Sequence, residues 1–421
     1  VFSGTNASFS GSLFDLNQAG GNGGAIANSG FLASSNNSFQ SNSANNGGAI
    51  SIDSGDTPSA NSSNDLFTAN SATRDGGAIY ESGSTLDIAG GVFQSNTAGD
   101  SNGGLAGDGG AIYTSSDTEI SASTFNGNSA VAGDGVPGEG GSIFYEGALT
   151  LVDSTIENAL AGIGGGLYGT NNAVATISGT TFDRNVAADS GTAGGAIGGS
   201  GTLEITNSTL SGNTTSGNGA GIGLLAGSAR LNNVTLAFNA ATGLGGPLYA
   251  EGGALITFTN SLFSVNTGGG TNCNTVVSLG YNQFQNLFLD TQGEPCPTLA
   301  SDIVAEPLID FLDSNGGPTQ THALQVQSPA INAGAPELNF ETFDATTIGD
   351  WQLRGFAGTD TGTLLLASGN STVGSAFLND PVDVTVDFSA RFQFRMTPAD
   401  GTINAADGIT FSLLADPTIL G

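Results

Sequence analysis

The chain has 421 residues, 38% of them hydrophobic, and 37 acidic residues against six basic ones, for a formal net charge of −31. Neutralising phosphates takes clustered Lys and Arg, so this balance excludes nucleic acid as a partner and disfavours anionic membrane surfaces. There is enough apolar material for a sizeable core, and no apolar run has the length of a membrane span.

Residues 1–266 repeat one pattern. GGAI begins at Gly23, Gly47, Gly76, Gly109 and Gly194, with GGSI at Gly140, GGGL at Gly164, GAGI at Gly219 and GGPL at Gly245. Between these copies fall the FxxN steps Phe14/Asn17, Phe39/Asn42, Phe67/Asn70, Phe93/Asn96, Phe125/Asn128, Phe182/Asn185 and Phe263/Asn266, relaxed to Leu210/Asn213 and Leu236/Asn239. Ile156 holds the tenth place, but Ala159 stands where Asn is expected. A period of about 24 to 33 residues is too short for a propeller blade, and without a 3.6-residue apolar stripe it excludes a helical solenoid. The spacing predicts an all-β chain, a right-handed parallel β-helix of about ten coils, with strands at 85–88, 149–152, 175–177, 203–205 and 255–258.

Each part of the repeat has an expected task. Glycine pairs belong where the backbone takes positive φ, or where it passes too close to its neighbour for a Cβ. Phe or Leu should stack from coil to coil at about 4.8 Å, and the Asn should form an amide ladder at a turn. About ten such coils make a rod on the order of 45 to 50 Å long. The insertions at 100–108 and 131–139 are expected as loops on one flank. A disordered linker would have no reason to keep apolar residues in phase with glycines. The chain opens at Val1 inside a coil, whereas a solenoid end needs a cap, so a processed or partial chain is expected, or an end covered by another copy.

From residue 267 to about 337 the pattern changes. Cys273 and Cys296 are the only cysteines; in an exported protein a disulfide stapling this loop is the favoured pairing. DIVAEPLIDF (302–311) and NGGPTQTHALQVQSPAINAGA (315–335) follow. This stretch resembles the terminal segment of secreted bacterial right-handed β-helix proteins, and the GGAI and FxxN repeats resemble those of polymorphic outer-membrane proteins and related adhesins. The resemblance covers roughly residues 1–336 and implies an extracellular or cell-surface bacterial protein whose solenoid is closed by 267–337. His322, the only histidine, is expected to be a hydrogen-bonded structural residue of that cap, because nothing nearby in the sequence supplies a nucleophile.

Residues 338–421 alternate as antiparallel strands: ETFDATTIGDWQLRG (341–355), GSAFL (374–378), FSARFQFRM (388–396) and ADGITFSLL (406–414). Together these resemble the start of an L-type, legume-like lectin sandwich. The resemblance implies that Asp407, beside Gly408, accepts hydrogen bonds from sugar hydroxyls, as a rim carboxylate can. The family's calcium and transition-metal loop falls beyond the residues that match, so another molecule or more chain is expected to complete the sheets.

Polysaccharide lyases and hydrolases also use β-helices, and they need acids grouped with Arg, Lys or His on one strand face. Arg74, Arg184 and Arg230 fall in different coils with no acid cluster expected beside them, and Asp53, Asp75, Asp108 and Asp134 fall in turns. The expectation is therefore a non-enzymatic, adhesive or structural stalk with no catalytic residues and no cofactor. Its partners would be glycans or further copies forming a filament or biofilm matrix. Calcium is the one ion its turns suggest, for example at 53–56, although the tandem nonapeptide of calcium β-rolls does not occur.

Overall fold

The computed structural model describes residues 6–53, 59–100, 104–191, 194–286 and 288–334, and the backbone of four short strands after residue 350. Two units divide at 335/336.

The first unit is a parallel β-solenoid whose every complete turn has four sides. A strand after the glycine pair, such as Ile50–Asp53, joins a nine-stranded sheet. The next, such as Thr85–Ala89, joins an eleven-stranded sheet in which buried and exposed residues alternate. The third, such as Leu66–Thr68, carries the FxxN phenylalanine into a twelve-stranded sheet, and a two-residue strand such as Ser71–Ala72 completes the turn in an eight-stranded sheet. All neighbours within these sheets are parallel, and equivalent residues face each other: Ile50↔Ile79↔Ile112 on one side, Phe67↔Phe93↔Phe125 on another. There are about nine turns rather than about ten. The glycine-pair sheet has nine strands among the described residues, one for each of about nine turns, whereas the phenylalanine sheet also runs through incomplete turns at both ends.

Three of the four corners of each turn share a recurring conformation. The first glycine of a pair has positive φ, +61° at Gly47, where a Cβ would lie 2.1 Å from the carbonyl oxygen of Ile50. The second passes against the next coil: a Cβ on Gly48 would lie 2.2 Å from the Gly77 oxygen. Both expected reasons for the pair thus hold, one for each glycine. The other two corners are single left-handed residues on either side of the phenylalanine strand, such as Asn64 and Ala69 (φ 53° for both), and these are not confined to glycine. Asn, Asp and Gly adopt this conformation most readily, and they fill most places before the phenylalanine strand.

Inside, Phe14, Phe39, Phe67, Phe93 and Phe125 stack face to face with centroids 4.6–4.8 Å apart, and Ile156, Phe182, Leu210, Leu236 and Phe263 continue the column in register. These residues are the centre of one continuous core.

The segment after residue 267 contributes in two ways. Val276–Ser278, Gln283–Phe284 and Ile303–Val304 add further strands to two of the sheets. Beyond them, Ile309–Asp313 and Thr321–Leu324 pair as an antiparallel hairpin, which docks on the outer side of the phenylalanine sheet (Thr181 Oγ1 to Gln320 O, 2.6 Å). The buried apolar column continues only through the strands that keep its register, so the hairpin, lacking that register, packs laterally instead.

In the second unit Trp351–Gly355 pairs antiparallel with Gly374–Leu378, and Gly358–Asp360 with Thr363–Leu365. Asp407 and Gly408 lie outside the described residues.

Candidate functional site

Polar ladders hold the corners on both sides of the phenylalanine column. A typical ladder Asn donates Nδ2–H to the Oδ1 of the next coil's Asn and to the carbonyl of the preceding coil's column residue; Asn96 does so to Asn128 (3.0 Å) and Phe67 (3.0 Å). Ala159 interrupts the series, although its own N–H still reaches Asn185 Oδ1 at 3.0 Å. A second ladder was not foreseen. At the opposite corner Ser123 N–H donates to Ser154 Oγ (3.1 Å), Thr180 N–H to Ser208 Oγ (3.2 Å) and Ser261 N–H to Asn282 Oδ1 (2.8 Å). Its signal was present in the sequence as a small polar residue two places before the large apolar one (S-T-F, T-T-F, S-T-L). These ladders are structural, since buried polar groups must find partners.

Recognition chemistry has to come from the outer faces. On the glycine-pair sheet Tyr80, Tyr113, Phe144 and Tyr168 stack in order, with centroids 4.9, 5.1 and 5.6 Å apart. Beside them runs the residue preceding each glycine pair. Asp75 Oδ1 accepts the Asp108 N–H at 3.1 Å, and Asp108 Oδ1 accepts the Glu139 N–H at 3.0 Å. Asp75 and Asp108, read as separate turn residues, and Glu139, at the end of an insertion, are therefore stacked one coil apart. The insertions at 100–108 and 131–139 lead into Asp108 and Glu139 and join through Gly107 N–H to Val131 O (3.1 Å). Phe144 is 4% and Tyr168 8% exposed.

Crowding carboxylates against rings raises their pKa values. Burial, then the charge of Asp75, pushes Asp108 up to about 6. Burial, then the charge of Asp108, pushes Glu139 up to about 7. Burial raises Asp75 as well. The hydroxyls of Tyr168 and Tyr113 meet Glu139 and Glu146, and burial raises both phenols. Only Tyr80 and Tyr113 of the stacked rings are half-exposed, so this face offers their edges beside carboxylate acceptors, which suit hydroxyl donors. No group of three or more His, Cys, Asp and Glu side chains is arranged to hold a metal among the described residues.

The arginines require a correction. Arg184 does stand beside acids on strands: its guanidinium lies 2.7 Å from Asp183 and 3.6 Å from Glu157. The sequence could not show this, because Glu157 and Asp183 become neighbours only through the Thr155↔Thr181 register. His322 is also not isolated. Its Nε2 lies 3.0 Å from Ser211 Oγ and its Nδ1 2.7 Å from the Asp310 carbonyl oxygen. The pair is sealed between hairpin and solenoid, with Ser211 4% and His322 9% exposed; a buried hydroxyl without access is a structural partner. Cys273 and Cys296 form a disulfide with their Cα atoms 5.3 Å apart.

No curated protein and no solved structure matches the chain. The model of the Chlamydia polymorphic membrane protein repeat matches residues 66–80 and 90–115. Those stretches contain Phe67, Asn70, the glycine pair at Gly76, Phe93, Asn96 and the pair at Gly109, the residues that build the column, the amide ladder and the tight corner. In these coils the chain is similar to the polymorphic membrane protein repeat.

Proposed function

We infer that the chain is a non-enzymatic structural and adhesive protein of a bacterial surface or extracellular matrix, in which the solenoid is a stiff spacer. The observation that carries this is the unbroken register from Phe14 to Phe284. A rod whose coils each hold their neighbours by stacked side chains and ladders resists bending. The matched repeat family, named for membrane proteins, supports a surface location.

Glycans are the proposed partners. Two places offer acceptors: the Asp75, Asp108 and Glu139 row, and the lectin-like segment with Asp407 and Gly408. A glycan array run with calcium and again with chelator tests this. Retention lost in Asp407→Ala assigns contact to the lectin-like segment, and retention lost in Asp108→Asn assigns it to the solenoid face. Absence of retention by the whole chain at any calcium level sinks the glycan reading.

One observation favours a second reading, that of a β-helix polysaccharide lyase or hydrolase: Glu157 and Asp183 in register with Arg184 between them. The burial of Asp183, 3% exposed, argues against it. Release of reducing ends or unsaturated products from acidic polysaccharides, abolished by Asp183→Asn, would establish it. Self-association is the remaining proposal, to be read from light scattering at rising concentration.

A further inference from the structure

Within residues 6–334 the hairpin of Ile309–Asp313 and Thr321–Leu324 is the only antiparallel strand pair among the described residues. A two-stranded hairpin is marginally stable alone, so its order depends on what it touches. It is held to coils more than 100 residues upstream. Thr319 Oγ1 donates to Gly179 O at 2.8 Å, Thr181 Oγ1 donates to Gln320 O at 2.6 Å, and His322 bridges Ser211 and Asp310 while its ring lies 5.5 Å from Phe238. The cover is visible along one column of the phenylalanine sheet: Thr124 is exposed and Thr155 half-buried, whereas Thr181 and Thr209 are buried.

The bridging histidine has a defined protonation state. A carbonyl oxygen only accepts, so Nδ1 carries the proton toward Asp310, and Nε2 accepts from the Ser211 hydroxyl. A second proton would turn Nε2 into a donor facing that hydroxyl and place a charge in a buried interface. The charged groups around the ring do not compensate. Asp183, in register with Ser211, is engaged by Arg184, which also approaches Glu157. On the hairpin, the Asp310 carboxylate accepts from Gln325 Nε2 at 2.9 Å, and Asp313 Oδ1 accepts from the Ser314 N–H at 2.7 Å. Burial lowers the ring's pKa below that of a free imidazole. By linkage, the docked hairpin disfavours the second proton, so docking is complete at neutral pH and weakens as the pH falls through the imidazole range.

We propose that the 309–324 hairpin is an acid-released latch: protonation of His322 breaks its contact with Ser211, the hairpin lifts, and the solenoid face bearing Thr181, Thr209 and Ser211 is uncovered. The latch differs from an end cap in that its release leaves the stacked coils intact.

Hydrogen exchange of the full chain at pH 7.5 and pH 5, corrected for intrinsic rates, tests it. Protection of the 309–324 amides should fall about tenfold or more at the lower pH, and strands at 67–68 and 93–94 should keep theirs. His322→Gln, which cannot take the charge, should abolish the pH response. Because that variant could undock at every pH, a second measurement stands beside it. His322 is the only histidine in the chain, so its ring proton resonance titrates without overlap, and its midpoint should coincide with the loss of hairpin protection. Equal protection at both pH values, a response that persists in His322→Gln, or a ring that titrates while the hairpin stays protected would each overturn the proposal.

Discussion

The Oδ1 atom of Asn96 accepts two hydrogen bonds from one residue of the preceding coil, the backbone N–H and the Nδ2–H of Asn70, both at 3.0 Å. A side chain from one coil thereby replaces the strand partner that a corner residue lacks, and the same amide passes its own Nδ2–H onward to Asn128 and to the Phe67 carbonyl.

Asn96→Ala should therefore cost about 2–4 kcal/mol, since it orphans two buried donors and one carbonyl at once. Asn45→Ala, which removes an exposed amide bonded only at the rim, should stay within about 0.5 kcal/mol. Denaturant midpoints at constant slope check both, and equal costs would show that the ladder contributes nothing beyond its surface counterpart.

Ala159 marks the gap in that ladder: its N–H still donates to Asn185 Oδ1, but it has no side-chain amide to offer Asn128. Ala159→Asn should supply Asn128 with its missing acceptor and raise stability by about 1 kcal/mol. A lower melting temperature would mean that the side chain does not fit.

Val265 occupies a left-handed corner at φ 51°, a conformation that is strained for a β-branched residue. It is 46% exposed, so removing its side chain forfeits little packing. Val265→Gly should stabilise by about 0.5–1 kcal/mol after the glycine's extra unfolded-state entropy is set against the relieved strain. Asn207→Gly, at a corner that Asn tolerates, should be close to neutral in the same melting experiment.

The carboxylate row gives a pH dependence of defined sign. Asp108 and Glu139 have folded pKa values raised to about 6 and about 7, from ordinary values of 3.8 and 4.5. A raised acid binds its proton more tightly in the folded state, so its destabilising effect is full above the folded pKa, diminishes as pH falls through it, and vanishes below the unfolded value. Melting temperature should thus rise on going from pH 8 toward pH 5. Glu139→Gln should raise it at pH 8 by a few degrees and leave it unchanged near pH 4. A variant effect of equal size at both pH values would contradict the assignment. His322 acts in the opposite sense at lower pH, and His322→Gln separates that contribution.

Most of the architecture was legible in the sequence because the repeat acts locally. A glycine pair, a large apolar residue and an Asn three places later each meet their own copies one coil away, so periodicity along the chain becomes stacking in space. Phe39 on Phe67 and Asn42 on Asn70 follow from that alone. The second polar ladder is hard to see in the sequence because Ser, Thr, Asn and Asp share its places with Gly91 and Val234, and no single letter repeats.

What only the tertiary structure decided are the relationships between coils that the repeat does not encode. Asp75, Asp108 and Glu139 each precede a glycine pair, yet only the winding stacks them one coil apart against the tyrosines. The same holds for Arg184 between Glu157 and Asp183. The meeting of His322 with Ser211 across 111 residues depends on a hairpin that leaves the solenoid axis and lies back along its side. The sequence by itself determined a stacked parallel rod, because each coil's core residues recur in phase. The outer faces carry no such constraint, so their chemistry emerged only when the chain was wound and its register set which charges and rings became neighbours.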